Sequence, residues 1–188
     1  MGERTQHGGA RTRSGFTLVE VMVALALVAF ALMGFSRSLV STMVASETDR
    51  EVRAATEAAR AVMERLSGAS FTDVFALYNA DPSDDPGGPG TAPGPGVDLP
   101  GLAPLENDPD GRVGEILLPV LDNGGNLEVR EDLNAPWLGM PRDLNGDGLI
   151  DALDHSADYI VLPVVVRFEW QGSGGPARIE FHTLLTGV

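Results

Sequence analysis

The most regular pattern in the chain is a change of hydrophobic character along one long helical stretch. Phe16–Phe35 (FTLVEVMVALALVAFALMGF) is apolar on every face and carries a single charge, Glu20. As a helix, these residues span roughly 30 Å, the thickness of a bilayer's hydrocarbon core. From Ser36 to Leu66 there is neither Pro nor Gly, and the pattern becomes amphipathic. Val52, Ala55, Ala59, Val62 and Leu66 recur at three- and four-residue spacing and make one apolar stripe. Asp49/Arg53, Arg53/Glu57 and Arg60/Glu64 are i,i+4 pairs suited to a solvated face. Ser67-Gly68 supplies a stop, so the spacing predicts a helix over Phe16–Ser67, about 78 Å long.

After the helix, Phe71–Tyr78 reads as a short helix or turn that brings the chain back. Residues 81–112 hold eight Pro and seven Gly, which excludes a helix or an interior strand. They read either as a linker or as a loop laid over the following domain, with Leu99, Leu102 and Leu105 as anchors. The remainder predicts antiparallel β structure. Val113–Val120 and Leu127–Arg130 are candidate strands, and Tyr159–Trp170 is the strongest one. Gln171–Pro176 has turn chemistry, and Ala177–Thr186 alternates Ile179, Phe181 and Thr183 against Glu180 and His182, which completes a hairpin. Pro163 places its part of the strand at an edge, a bulge or a strand start. Three or four strands on an amphipathic helix make a small α+β head.

Charge gives this layout a direction. The chain has 188 residues, 13 basic against 27 acidic, and a formal charge of −14. Residues 1–15 carry Glu3 against Arg4, Arg11 and Arg13, whereas residues 81–188 hold nineteen acids and five Arg. Arg before the apolar span and acid after it place the N-terminus in the cytoplasm and the head outside. A cleaved secretory signal, a buried core helix and a plain anchor are the other readings of the span. The first is disfavoured by the length of the apolar run, the second by the absence of a core large enough to surround it. Without Cys there is no disulfide, thiol nucleophile or zinc–thiolate site, and His7, His155 and His182 are too scattered for a histidine-rich centre. Arg112, Arg130, Arg142, Arg167 and Arg178 are too few for the head to neutralise a phosphate backbone, so no nucleic acid is expected.

Glu20 is the informative residue in the span. A carboxylate in hydrocarbon costs a few kcal/mol or more and calls for a partner, yet no Arg lies within helical reach. A new α-amino group on Phe16 would serve if the chain were cut after Ser14-Gly15, where Gly can thread a narrow protease site. Arg13-Ser14-Gly15-Phe16-Thr17-Leu18-Val19-Glu20, followed by an apolar helix, resembles the signal of type IV prepilins and type II secretion pseudopilins. The resemblance implies cleavage between Gly15 and Phe16 by a prepilin peptidase and N-methylation of Phe16. It also implies that Glu20 pairs with the Phe16 amine of a neighbouring subunit during assembly. The absence of a helix-kinking Pro near Arg37 points to a minor subunit or a pseudopilin rather than a main fibre subunit.

A second motif lies in the head. Asp143-Leu144-Asn145-Gly146-Asp147-Gly148-Leu149-Ile150-Asp151-Ala152-Leu153-Asp154 follows the EF-hand loop, with Asp154 where Glu is usual. Ca²⁺ takes six to eight oxygens. The expected donors are the side chains of Asp143, Asn145 and Asp147, the carbonyl of Leu149, Asp151 directly or through water, and Asp154. The loop lacks flanking helices, in the manner of dockerin-type repeats, and reads as a structural calcium staple. An acidic turn without metal is the other reading. No phosphate loop, Gly-x-Ser-x-Gly or separated carboxylate pair suggests an enzyme.

The resulting expectation is a basic leader (1–15), a transmembrane half-helix (16–35), an amphipathic half-helix (36–67), a connecting region (68–112) and an acidic β head (113–188) with its calcium loop at 143–154. The function expected is that of a minor pilin of a type IV pilus, non-enzymatic and with a priming or tip role. It would start in the bacterial inner membrane among lipid, with a periplasmic head, and end in a pilus. Its partners would be prepilin peptidase, other pilin subunits and an inner-membrane assembly platform. A minor pseudopilin of type II secretion and a membrane-anchored calcium-binding module that never assembles are the alternatives.

Overall fold

The computed structural model describes residues 15–187. The expected leader lies outside the described residues except for Gly15. The chain comprises two units, Met1–Met43 and Val44–Val188.

Helix α1 runs Leu18–Gly68. In the first unit every described residue is exposed, including Leu25, Phe30 and Phe35. In the second unit α1 buries Ala55, Ala59, Val62 and Leu66 on the expected stripe, while Val52 remains 37% exposed. The three expected i,i+4 ion pairs are not formed. Among the described residues of α1, the pair within 4 Å is Arg50–Glu47 at 3.2 Å, because exposed Arg and Glu side chains gain little by being held together.

A 3₁₀ turn at Phe71–Asp73 and a short helix α2, Val74–Tyr78, return the chain and bury Val74, Phe75 and Tyr78. The Tyr159 hydroxyl donates to the Phe71 carbonyl (2.8 Å), and the Phe71 and Tyr159 rings meet edge to face at 4.9 Å. The Pro/Gly stretch is laid down on the head, with Leu99 and Leu102 against the core. It contributes a two-residue edge strand β1, Gly96–Val97, where Pro95 just before it does no harm.

The main sheet is antiparallel, in the order β1-β2-β5-β6, with β2 at Gly114–Leu117, β5 at Val161–Gly172 and β6 at Gly175–Thr186. The expected single strand over Val113–Val120 is broken. It holds over Gly114–Leu117, and its last residue, Val120, instead opens β3 (Val120–Asp122), which pairs with β4 (Leu127–Val129) in a separate two-stranded ribbon. The β5–β6 hairpin closes on Ser173-Gly174, between Gly172 and Gly175. Pro163 fits within β5 because pairing with β2 ends at Leu117↔Val165, so the strand has no β2 partner there.

Val164, Val166, Phe168 and Trp170 alternate on the face that packs with α1, together with Ile116 of β2. The run Leu162–Val166 is buried throughout, because residues beyond β4 cover the second face. That cover includes a 3₁₀ turn, Pro136–Leu138, with Leu138, Met140 and Leu144 buried. The helix is fastened to the hairpin tip by Glu51. Its carboxylate accepts from the Ser173 amide (3.0 Å), the Ser173 hydroxyl (2.7 Å) and the indole N–H of Trp170 (3.2 Å). Trp170 is fully buried, so this last bond satisfies a donor that would otherwise be stranded in the core.

Candidate functional site

Two regions carry the candidate chemistry, one at the start of α1 and one in the loop between β4 and β5.

Gly15, Phe16 and Thr17 precede the helix in non-helical conformation, and Phe16 is 82% exposed. An added Cβ on Gly15 would meet no atom of the described residues within 4 Å. Thr17 is the helix N-cap, and its hydroxyl accepts the Glu20 N–H at 3.2 Å. Thr17-x-x-Glu20 thus has the spacing of a capping box, a signal the sequence reading did not use. Glu20 stands in the first turn, where free backbone N–H groups favour a negative charge. The helix that follows is long and apolar enough to cross a membrane.

Residues 10–36 match the family model for the prokaryotic N-terminal methylation motif. The chain carries the prepilin/pseudopilin signal. The motif implies processing by a prepilin peptidase and assembly with other pilins, and it agrees with anchoring in an inner membrane. No curated protein and no solved structure matches the chain.

In the head loop, most of the expected donors turn back onto the loop's own backbone. Asp143 accepts from the amides of Gly146 (2.6 Å) and Gly148 (2.8 Å), Asn145 from Asp147 (3.0 Å), and Asp147 from Leu149 (2.8 Å). Gly146 and Gly148 have φ of +81° and +87°, a conformation that side chains disfavour. Asp151 accepts from Leu153 (2.8 Å). Asp154 is engaged elsewhere: one oxygen accepts from the Val129 amide of β4 (3.1 Å) and the Ser156 amide (3.0 Å), the other from the Ser156 hydroxyl (2.9 Å).

The sequence reading passed over the residue that organises this loop, Glu131. It is 1% exposed and follows β4 by two positions. One carboxylate oxygen accepts from Leu144 (2.6 Å) and Asn145 (3.2 Å), the other from Asp151 (3.3 Å), so one side chain joins the two ends of the loop. His155, 3% exposed, stands 3.7 Å from Glu131 and bonds to Asp151 (3.2 Å) and Asp158 (3.0 Å). Burial alone would push the imidazole's pKa down; its carboxylate partners outweigh that and hold it above its ordinary value. Among the described residues, Glu131, Asp151 and His155 form a group whose candidate ligand atoms lie within 4.8 Å of one another. The carboxylates of Asp143, Asp147 and Asp154 are outside it.

Proposed function

We propose that the chain is a minor pilin of a type IV pilus, a non-enzymatic subunit that a prepilin peptidase processes and the assembly machinery then extracts into the filament. The observation that carries this reading is the methylation motif running into a helix with two characters: apolar up to Phe35 and exposed up to Met43, then striped, with Ala55, Ala59, Val62 and Leu66 buried in the head. A head that holds only half of such a helix leaves the other half for lipid before assembly and for neighbouring subunits after it. With its head in the periplasm, the chain would meet other subunits there and prime assembly or occupy the tip.

The head loop fits Ca²⁺ by the chemistry of its donors, hard oxygens at alternate positions around two left-handed glycines. In this reading Asp143, Asn145, Asp147, Leu149, Asp151 and Asp154 hold a structural ion. Glu131 straps the loop from the protein side.

Substituting Glu20→Val tests the assembly step. The variant should insert and be processed, because the cleavage junction is intact, yet be absent from sheared filaments. Incorporation at the level of the unaltered chain would contradict the reading.

A further inference from the structure

A groove of about 560 Å³ on the outer face of the β5–β6 hairpin differs in charge from the rest of the head. Trp137, Leu138, Arg142, His182, Thr183 and Leu184 contribute to its lining, and no acidic residue does. Of the five head arginines, four are paired with carboxylates: Arg112 with Asp98, Arg130 with Glu128 and Asp132, Arg167 with Glu180, and Arg178 with Glu169 and Glu180. Arg142 has no carboxylate within 4 Å among the described residues. Its Nε donates to the Gly139 carbonyl at 3.3 Å, and its two terminal nitrogens donate to no described residue. A guanidinium left open in so acidic a head is a ready partner for an anion held in its planar fork.

The second feature of the groove is Trp137, a large aromatic that is 47% exposed. It is braced rather than loose. The Arg167 guanidinium lies over its ring at 5.2 Å, and Arg167 is itself held by Glu180 at 2.7 Å. An indole fixed in this way offers a flat apolar surface at small entropic cost. Thr183 and His182 add hydroxyl and imidazole groups for polar substituents. An open groove whose lining combines an aromatic platform, a guanidinium without a carboxylate partner among the described residues and a few polar groups has the make-up of a shallow small-molecule site.

We propose that this groove binds a carboxylated pyranose, such as a uronic acid unit of an acidic polysaccharide. Its carboxylate would lie on Arg142 and its ring face on Trp137. This goes beyond the filament reading and does not depend on it.

The test is a titration of the full processed chain, in a polyoxyethylene detergent free of sugar, with glucuronate, glucose and acetate. Trp170 is fully buried, so a ligand-dependent change in tryptophan emission reports Trp137. Glucuronate should give a saturable change below about 10 mM, with glucose and acetate at least about tenfold weaker. Arg142→Gln should reduce glucuronate to the level of glucose, with the core Trp170 emission showing that the fold is kept. Arg142→Lys, which retains the charge, should keep a preference for glucuronate over glucose. No saturation by glucuronate, equal binding of glucose or acetate, unchanged binding by Arg142→Gln, or no preference in Arg142→Lys would each overturn the proposal.

Discussion

Glu131→Ala removes a buried carboxylate that three backbone amides and an imidazole surround. The Leu144 N–H, in a residue with no exposed surface, loses its acceptor at 2.6 Å. An orphaned buried donor costs about 1–3 kcal/mol. The Asn145 and Asp151 amides, partly buried, add about 1 kcal/mol each at most. His155 also loses one of the charges facing it at 3.7 Å but keeps Asp151 at 3.2 Å and Asp158 at 3.0 Å, so its own charge stays compensated and this loss adds little. The three amides together set the working figure at about 3–5 kcal/mol, against a total stability of about 5–15 kcal/mol for an ordinary domain. Urea unfolding of the detergent-solubilised chain, followed by the emission of Trp170, measures the loss. Hydrogen exchange gives the local readout: protection at Leu144, Asn145 and Asp151 should fall at least about a hundredfold, the equivalent of about 3 kcal/mol. Glu131→Gln, which keeps one acceptor oxygen, should lose about half as much. A loss below about 1 kcal/mol in Glu131→Ala, with those amides still protected, would refute the assignment of Glu131 as the loop's strap.

Glu51→Gln should destabilise the head by about 1 kcal/mol at neutral pH, since charged acceptors make the stronger hydrogen bonds. The Ser173 hydroxyl and amide hold the Glu51 carboxyl below its ordinary 4.5, so the contribution is present above that value and fades as pH falls through the lower folded-state value; wild type and variant should converge in acid, and a gap that widens there would contradict the assignment. With a Kd of about 10⁻⁴–10⁻³ M, about 2 mM Ca²⁺ should stabilise the head by about 0.6–1.8 kcal/mol, or about 2–6 °C in Tm. Asp143→Ala should abolish that response, and equal Tm values in Ca²⁺ and in chelator would remove calcium from the account. Gly114→Ala should cost about 1–3 kcal/mol by urea unfolding, because its Cβ would stand 2.6 Å from the Phe168 ring and 2.9 Å from Val97; a neutral effect would show that the sheet yields there.

What the chain declares locally was legible in it. The Ala55, Ala59, Val62, Leu66 stripe depends only on helical period, and the β5–β6 hairpin on alternation around Ser173-Gly174. The role of Thr17 was also local, three residues before Glu20, and reading the capping box would have found it. Glu131 was not legible. It follows directly on the candidate strand Leu127–Arg130 and beside Asp132, where a carboxylate carries no local signal of burial, and its partners lie 13 to 20 residues away on the far side of a turn. His155 was dismissed for the same reason, since isolation in sequence says nothing about neighbours supplied by a folded loop. The expected strand Val113–Val120 stops at Leu117, where pairing with β5 ends, and only its last residue, Val120, finds another partner, Val129 of β4.

The processed N-terminus decides most directly whether this chain is a filament subunit or a simple anchored module. Intact-mass and N-terminal analysis of the protein from membranes of its own host should find a chain that begins at N-methylated Phe16, with Glu20 as its fifth residue. A chain that keeps residues 1–15, or one cut near Ser46, would contradict the account and leave an acidic head on a plain anchor or free of one.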